Sequence, residues 1–254
     1  MDTLIAALAA LHIITAPLAP IASYTAVHSC EFTANKRIAL TFDADMTAGM
    51  EKLLETHEVT SWYNRDLIHY LNRHQIPATL FLTGMWAETY PKEARALARN
   101  PLFEIANHSY SHPGFAHPCY GLEYVNEAQK RYELYHSKAV LKAITGIDTT
   151  LFRFPGGCQA AMDVELVRSM GLTPVGWTIV SGDAFAGDTA SIVQNVLSQA
   201  HDGGIVVAHM NAGPNAPKTA EAIKELVPIL RSEGFIFVKV SELLPIDDLL
   251  ACRE

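Results

Sequence analysis

From residue 36 onward the apolar positions alternate between two periods. Short runs of β-branched and aliphatic residues predict strands at 37–42, 78–83, 102–106, 151–154, 174–180, 205–208 and 235–240. Between them, apolar residues at helical spacing predict helices at 65–74, 91–99, 122–144, 162–170, 192–201 and 219–233. Some boundaries have a local chemical cause: Pro91 suits the first turn of a helix, and Gly146 and Gly171 suit its end. Residues 205–208 are an unbroken apolar run, as expected of a strand covered on both faces. Strands alternating with helices imply a parallel sheet with helices outside it. Seven such units can close, or nearly close, on themselves. The expected fold is therefore α/β, a distorted (β/α)7-type parallel barrel in one domain. A doubly wound open sheet is the alternative, and it is disfavoured because no Gly-rich dinucleotide fingerprint follows the first strand.

Composition narrows the classes of function. The chain has 254 residues, of which 49% are hydrophobic and 18% charged, a globular balance. Its 19 basic residues against 27 acidic ones give a formal net charge of −8. That charge, with no basic run, argues against nucleic acid and against an anionic membrane surface. Residues 4–14 are apolar except for His12, and Ala16, Ala19 and Ala22 follow as small residues suited to signal cleavage. The run falls short of the roughly 20 apolar residues that cross a bilayer, so no integral span is expected. Residues 1–30 are thus expected to be a leader, with 31–254 as the catalytic domain, secreted or bound for the cell envelope. A charged segment before the run is missing, since the first basic residue is Lys36. The competing reading is an N-terminal helix packed on a cytoplasmic domain. Four cysteines, Cys30, Cys119, Cys158 and Cys252, allow three pairings. The ends of a closed barrel lie close together, which favours Cys30 with Cys252 and Cys119 with Cys158. No oligomeric state follows from the pattern.

The polar residues fall on this map unevenly. Asp43 and Asp45 follow the first predicted strand, and His108 and His112 the third. Arg153 ends the fourth, Asp183 follows the fifth and His209 the sixth. Every one sits at a carboxyl end of a strand, where parallel α/β barrels build their sites. Two imidazoles four residues apart, together with one carboxylate, form a common catalytic zinc set. The HxxxH spacing alone says little among 11 histidines. His57, His69, His74, His117, His136 and His201 lack a comparable setting.

These residues form an ordered pattern that resembles the polysaccharide deacetylase family, the carbohydrate esterases that include chitin, peptidoglycan and rhizobial chitooligosaccharide deacetylases. The resemblance covers roughly residues 36–245. Its first motif is similar to Thr41-Phe42-Asp43-Ala44-Asp45, and its second, His-Ser/Thr-x-x-His, to His108-Ser109-Tyr110-Ser111-His112. The third, Arg-x-Pro then an aromatic and Gly, is similar to Arg153-Phe154-Pro155-Gly156-Gly157. The fourth resembles the stretch from Trp177 to Phe185, and the fifth ends at Ala208-His209.

The resemblance implies an enzyme that removes N-acetyl groups from a polysaccharide or oligosaccharide. It implies one divalent metal ion, Zn2+ first and Co2+ or Ni2+ next, on Asp45, His108 and His112. Asp43 would be the base, Arg153 would orient it, and His209 would be the acid, paired with Asp183. The Gly156 N–H would face the oxyanion. Tyr110, Pro155, Trp177 and Phe185 would contact the sugar. Three departures stand out. Ala44 separates the two aspartates, which are adjacent in the usual motif. Gly156 replaces the aromatic of the third motif. In the fourth, Val180 stands where a first Asp is usual, and Ala184-Phe185 where a Trp is usual. An insertion, residues 46–63, follows the first motif. Rival functions are an O-acetyl esterase acting on acetylxylan, a small-molecule hydrolase opening cyclic amides or ureides, and a non-catalytic carbohydrate-binding protein.

Overall fold

The computed structural model describes residues 36–243. The expected leader, Cys30 and Cys252 lie outside these residues. Strands β1 (Arg37–Ala44), β2 (Ala78–Leu82), β3 (Phe103–Asn107), β4 (Leu151–Phe152), β5 (Thr173–Pro174), β6 (Ile179–Val180), β7 (Gly204–His209) and β8 (Ile236–Val238) form one sheet. Every pairing is parallel. The order is β5-β4-β3-β2-β1-β7-β6, so the curled sheet stays open between β5 and β6. On one edge of β1, β8 pairs with Arg37, Ile38 and Ala39, while β2 pairs with the stretch from Thr41 to Ala44. β7 runs along the other edge.

The helices are α1 (Ala48–Glu55), α2 (Arg65–Arg73), α3 (Gly84–Thr89), α4 (Pro91–Ala98), α5 (Glu127–Thr145), α6 (Ala161–Ser169), α7 (Thr189–Gln199), α8 (Thr219–Ser232) and α9 (Val240–Leu243). Caps decide where several begin and end. Helix α5 starts five residues later than its apolar pattern suggests, because Asn126 accepts from the Ala128 and Gln129 N–H groups and Gln129 answers with a bond to the Asn126 N–H. It stops at Gly146, whose φ of 80° suits glycine. Asp188 draws the start of α7 forward by accepting from Ser191 N–H. Three helices, α1, α3 and the short α9, have no counterpart in the sequence pattern. Helix α1 lies in the 46–63 insertion behind a Thr47 cap, and α3 opens on Gly84 behind a Thr83 cap.

The predicted fifth strand is two strands. Val175 N–H still donates to the Phe152 carbonyl, but Gly176 turns its carbonyl to Arg153, and Thr178 N–H has crossed to Ile205. One segment thus bridges the open side of the sheet. The predicted seventh strand ends at Val238, because the Thr79 hydroxyl accepts the Val240 N–H and Glu242 accepts that of Lys239, starting α9.

Period-two alternation along β1 separates two environments. Ile38, Leu40, Phe42 and Ala44 pack outward into a cluster shared with helix residues such as Leu67, Leu97 and Leu226. Ala39 packs inward with Phe81, Ala106, Leu151 and Ile205, where Val240 and Leu243 of α9 join them. Burying each of the larger of these side chains, such as Leu40, Phe42 or Phe81, contributes about 1.5–3 kcal/mol. Above this plug, toward the carboxyl ends, the inward positions of β1 become Thr41 and Asp43, both buried. Among the described residues, no helix is long and apolar enough to cross a membrane.

Candidate metal centre

The same alternation explains the spaced pair of aspartates. Asp43 and Asp45 are two residues apart, so both point inward, while Ala44 between them faces the outer cluster. Asp45 lies just past β1. It is fixed by a reciprocal pair of 2.9 Å bonds: its N–H donates to Asn211 Oδ1, and Asn211 Nδ2 donates to its carbonyl.

His108 and His112 lie on the turn after β3. Two non-glycine residues there, Ser109 and His112, have φ of 68° and 63°, a region costly for L-residues. Polar side chains hold the turn in place. Asn107 Oδ1 accepts from Ser109 N–H, and Ser109 Oγ accepts from His112 N–H. From α5, buried Glu133 takes the Tyr110 and Ser111 N–H groups on Oε2 and the Ser111 hydroxyl on Oε1, each at 2.8 Å.

His108 Nε2 is 3.5 Å from Asp45 Oδ1, and His112 Nε2 is 3.3 Å from the same oxygen. The ligand atoms of Asp45, His108 and His112 lie within 4.8 Å of one another. Three features fit this group to a cation. Asp45 Oδ1 is buried, with no hydrogen-bond partner among the described residues. His108 Nδ1 is 2.9 Å from the Arg153 carbonyl. A carbonyl only accepts, so Nδ1 carries the proton, and in the neutral ring Nε2 turns a lone pair toward the carboxylates. Burial lowers the His112 pKa to about 4 against the pull of Asp45, leaving that ring neutral near pH 7. For Asp45, burial works to raise the pKa, but His112, His108 and His209 outweigh it and hold the group well below the usual carboxylate range. Two imidazoles and one carboxylate make a suitable donor set for zinc.

Asp43 stands beside this group, its Oδ2 3.6 Å from His108 Nε2. Its other oxygen accepts a 2.7 Å bond from Arg153, whose guanidinium is fully buried, also donates to Thr41 Oγ1, and lies 4.0 Å over the Phe81 ring. Oδ2 forms no hydrogen bond among the described residues. Opposite, His209 Nε2 is 3.8 Å from Asp45 Oδ2. Asp183 holds His209 twice, accepting from Nδ1 at 2.8 Å and from the backbone N–H at 2.7 Å. Thr219, the first residue of α8, donates its hydroxyl to the same carboxylate. Burial works to lower the His209 pKa, but Asp183 dominates and raises it to about 10.

Asp43, Asp45, His108, His112, Asp183 and His209 line one cavity of about 330 Å³ together with Gly156, Trp177 and Phe185. Gly156 has a φ of 61° in the turn at Pro155–Gly157. Among the described residues its N–H meets no acceptor. The Trp177 ring lies where a Cβ on Gly157 would stand, at 2.5 Å. Two expected sugar contacts are placed elsewhere. Tyr110 donates its hydroxyl to Glu88 and packs its ring on His136, outside the cavity. Pro155 is buried and does not line it. Cys119 and Cys158 form a disulfide, as the preferred pairing has it. Asn107, Glu133, Asn211 and Thr219 support the site without any motif of their own, and Thr41 does so from within the first motif. Tyr120 lines the cavity from a loop the sequence pattern leaves unmarked.

Removing Glu133 strips the histidine turn of three acceptor bonds. Glu133→Ala is expected to weaken zinc binding about 10–100-fold, the usual scale for groups that orient metal ligands, with the far-ultraviolet circular dichroism retained. Calorimetric titration with zinc measures it, and an unchanged affinity would mean the turn holds its shape unaided.

Residues 31–175 match the sequence profile of the family described as polysaccharide deacetylase, a stretch that ends before Trp177, Asp183 and His209. The peptidoglycan-N-acetylglucosamine deacetylase of Bacillus cereus is 26% identical over 172 residues, covering 68% of this chain and 60% of its own length. This chain therefore spans less than two thirds of that relative. A chitooligosaccharide deacetylase of Rhizobium leguminosarum bv. trifolii is 30% identical over 181 residues, covering 66% of this chain and 80% of its own. In structure, the Bc1960 peptidoglycan N-acetylglucosamine deacetylase has a TM-score of 0.73 at 23% identity, covering 87% of this chain and 92% of that one, and shares the fold. The chain belongs to the polysaccharide deacetylase family.

Proposed function

We propose that the protein is a metal-dependent hydrolase that removes N-acetyl groups from a polysaccharide such as chitooligosaccharide or the glycan of peptidoglycan. The observation that carries this reading is one cavity in which a three-residue metal-ligand group lies between Asp43, with a free Oδ2, and His209, held by Asp183. A divalent ion bound by Asp45, His108 and His112, zinc by the donor set, would polarise a carbonyl and acidify water. Asp43 accepts the proton of the attacking water on Oδ2, while Arg153 keeps Oδ1 occupied and the carboxylate in one orientation. The Gly156 N–H donates to the developing oxyanion, a contact of about 3–4 kcal/mol where such donors have been removed. His209, protonated under the influence of Asp183, delivers a proton from Nε2 to the departing amine. Trp177 and Phe185 face the sugar. The Cys119–Cys158 disulfide and the apolar run of sequence at residues 4–14 support an oxidising compartment, secreted or at the cell envelope.

Metal analysis of the purified protein, followed by acetate release from N-acetylchitooligosaccharides, peptidoglycan and acetylxylan, tests the reading. Acetate should come from an N-acetylated glycan, stop on chelation and return with zinc, cobalt or nickel. Release from acetylxylan alone would make the protein an O-acetyl esterase. No release from any glycan would leave a binding protein or a small-molecule hydrolase of cyclic amides.

A further inference from the structure

The aromatic side chain expected in the third motif is absent, and the structure gives a physical reason. A Cβ on Gly156 would lie 2.9 Å from Cys119 Sγ and 3.1 Å from Tyr120 Cδ2, at a φ of 61°. The space over Gly156 is already filled by the disulfide and the Tyr120 ring. Tyr120 has a φ of 46°, which a side chain adopts reluctantly, and it follows a cysteine tied to Cys158 at a Cα–Cα distance of 5.9 Å. The backbone beside it is thus anchored to the Gly156 turn. Its side chain is nonetheless 76% exposed.

Across the mouth stands Phe185, 80% exposed. The two ring centroids are 6.0 Å apart with planes tilted by 40°, and both residues line the cavity that holds Asp43 and His209. Single exposed aromatics need no explanation. Two from different loops, in contact at the mouth of the cavity that holds the metal-ligand group, with one beside a disulfide, form a built surface. At 6.0 Å the rings leave no gap for a sugar between them, so they act as one platform. Aromatic faces suit the apolar C–H face of a pyranose, and the tyrosine hydroxyl can stay in water or meet a sugar hydroxyl.

We infer that Tyr120, with Phe185, forms a subsite for a hexosamine ring next to the one whose acetamide enters the cavity, so that chain length, and not the acetylated unit alone, decides how well a substrate is held. This rests on the deacetylase reading for the reacting unit, but binding to the platform can be read without turnover. Tyr120 then takes the place left empty at Gly156, from a different loop.

The test compares N-acetylchitotetraose with N-acetylchitobiose in the unaltered protein and in Tyr120→Ala, Tyr120→Phe and Phe185→Ala. Tyr120→Ala and Phe185→Ala should each raise KM for the tetraose about three- to tenfold, the scale of one aromatic contact, with a smaller effect on kcat. The preference for tetraose over biose should fall by a similar factor. Tyr120→Phe should keep the preference, because the ring is retained. Calorimetric titration of the tetraose into the same variants, each also carrying Asp43→Asn, reads the contrast without catalysis. If Tyr120→Ala leaves both the affinity and the chain-length preference unchanged, the platform is wrong. If the unaltered protein binds the tetraose through Tyr120 but releases no acetate from any glycan, the deacetylase reading fails and the platform stands.

Discussion

Asp43→Asn will keep one metal ion per chain and lose nearly all turnover. Asparagine has the shape of aspartate, and its amide oxygen can take over the 2.7 Å bond from Arg153. The amide nitrogen then stands where Oδ2 stood, facing the cavity as a donor. A group that donates cannot accept a proton from water, so the general base is gone while the pocket is otherwise unchanged. General-base assistance contributes about 10²–10⁴-fold, and a loss of that size is expected in kcat. The proposed metal ligands are Asp45, His108 and His112, so metal content by elemental analysis should match that of the unaltered protein. His108→Ala supplies the opposite phenotype: it removes a ligand, and metal and turnover should fall together. Wild-type turnover from Asp43→Asn would exclude Asp43 as the base. Loss of the ion from that variant would make it a ligand instead.

The parts of this molecule that could be read from its sequence are those where one residue's chemistry acts locally. Strand and helix alternation set the parallel sheet, because apolar periodicity reports burial directly. The seven site positions at strand ends could be found because a parallel sheet brings its carboxyl ends together, however far apart they lie in sequence. The spaced aspartates, which departed from the usual motif, make sense once Asp43 and Asp45 are placed on one face of β1. What sequence did not reveal depends on long-range partners. Gly176 is the one local hint of a break within residues 174–180, but its partner is distant: Arg153 takes the Gly176 carbonyl out of the sheet. Tyr110 sits inside the histidine motif and was expected at the sugar. Glu133 fixes its backbone and Glu88 takes its hydroxyl, and both partners lie more than 20 residues away. Gly156 reads as a lost aromatic until Cys119 and Tyr120 are seen above it. Helix α3 escapes the pattern because it opens on a glycine and spans only six residues.

Arg153→Met should be the most destabilising single change at the site. The guanidinium is fully buried, bonds Asp43, Thr41 and the Gly176 carbonyl, and lies on Phe81. Methionine can fill much of the volume against Phe81, but it leaves the Asp43 carboxylate without its cation in a buried setting. Removing one partner of such a pair costs about 3–5 kcal/mol, whereas replacing both can be nearly neutral. The loss should therefore depend on the charge at Asp43. In urea unfolding, Arg153→Met is expected to shift the midpoint down strongly, and adding Asp43→Asn should recover a large part of the loss. A coupling well above the roughly 0.5 kcal/mol seen for independent sites would identify the buried ion pair as the cause. Simple addition of the two single effects would mean that Arg153 acts through packing and the Gly176 bond alone. Metal binding gives a second readout. The His108 ring is oriented by the Arg153 backbone carbonyl, not by the guanidinium, so a folded Arg153→Met protein should still bind zinc. Its turnover should drop, because the carboxylate beside the ion has lost the bond that aims it.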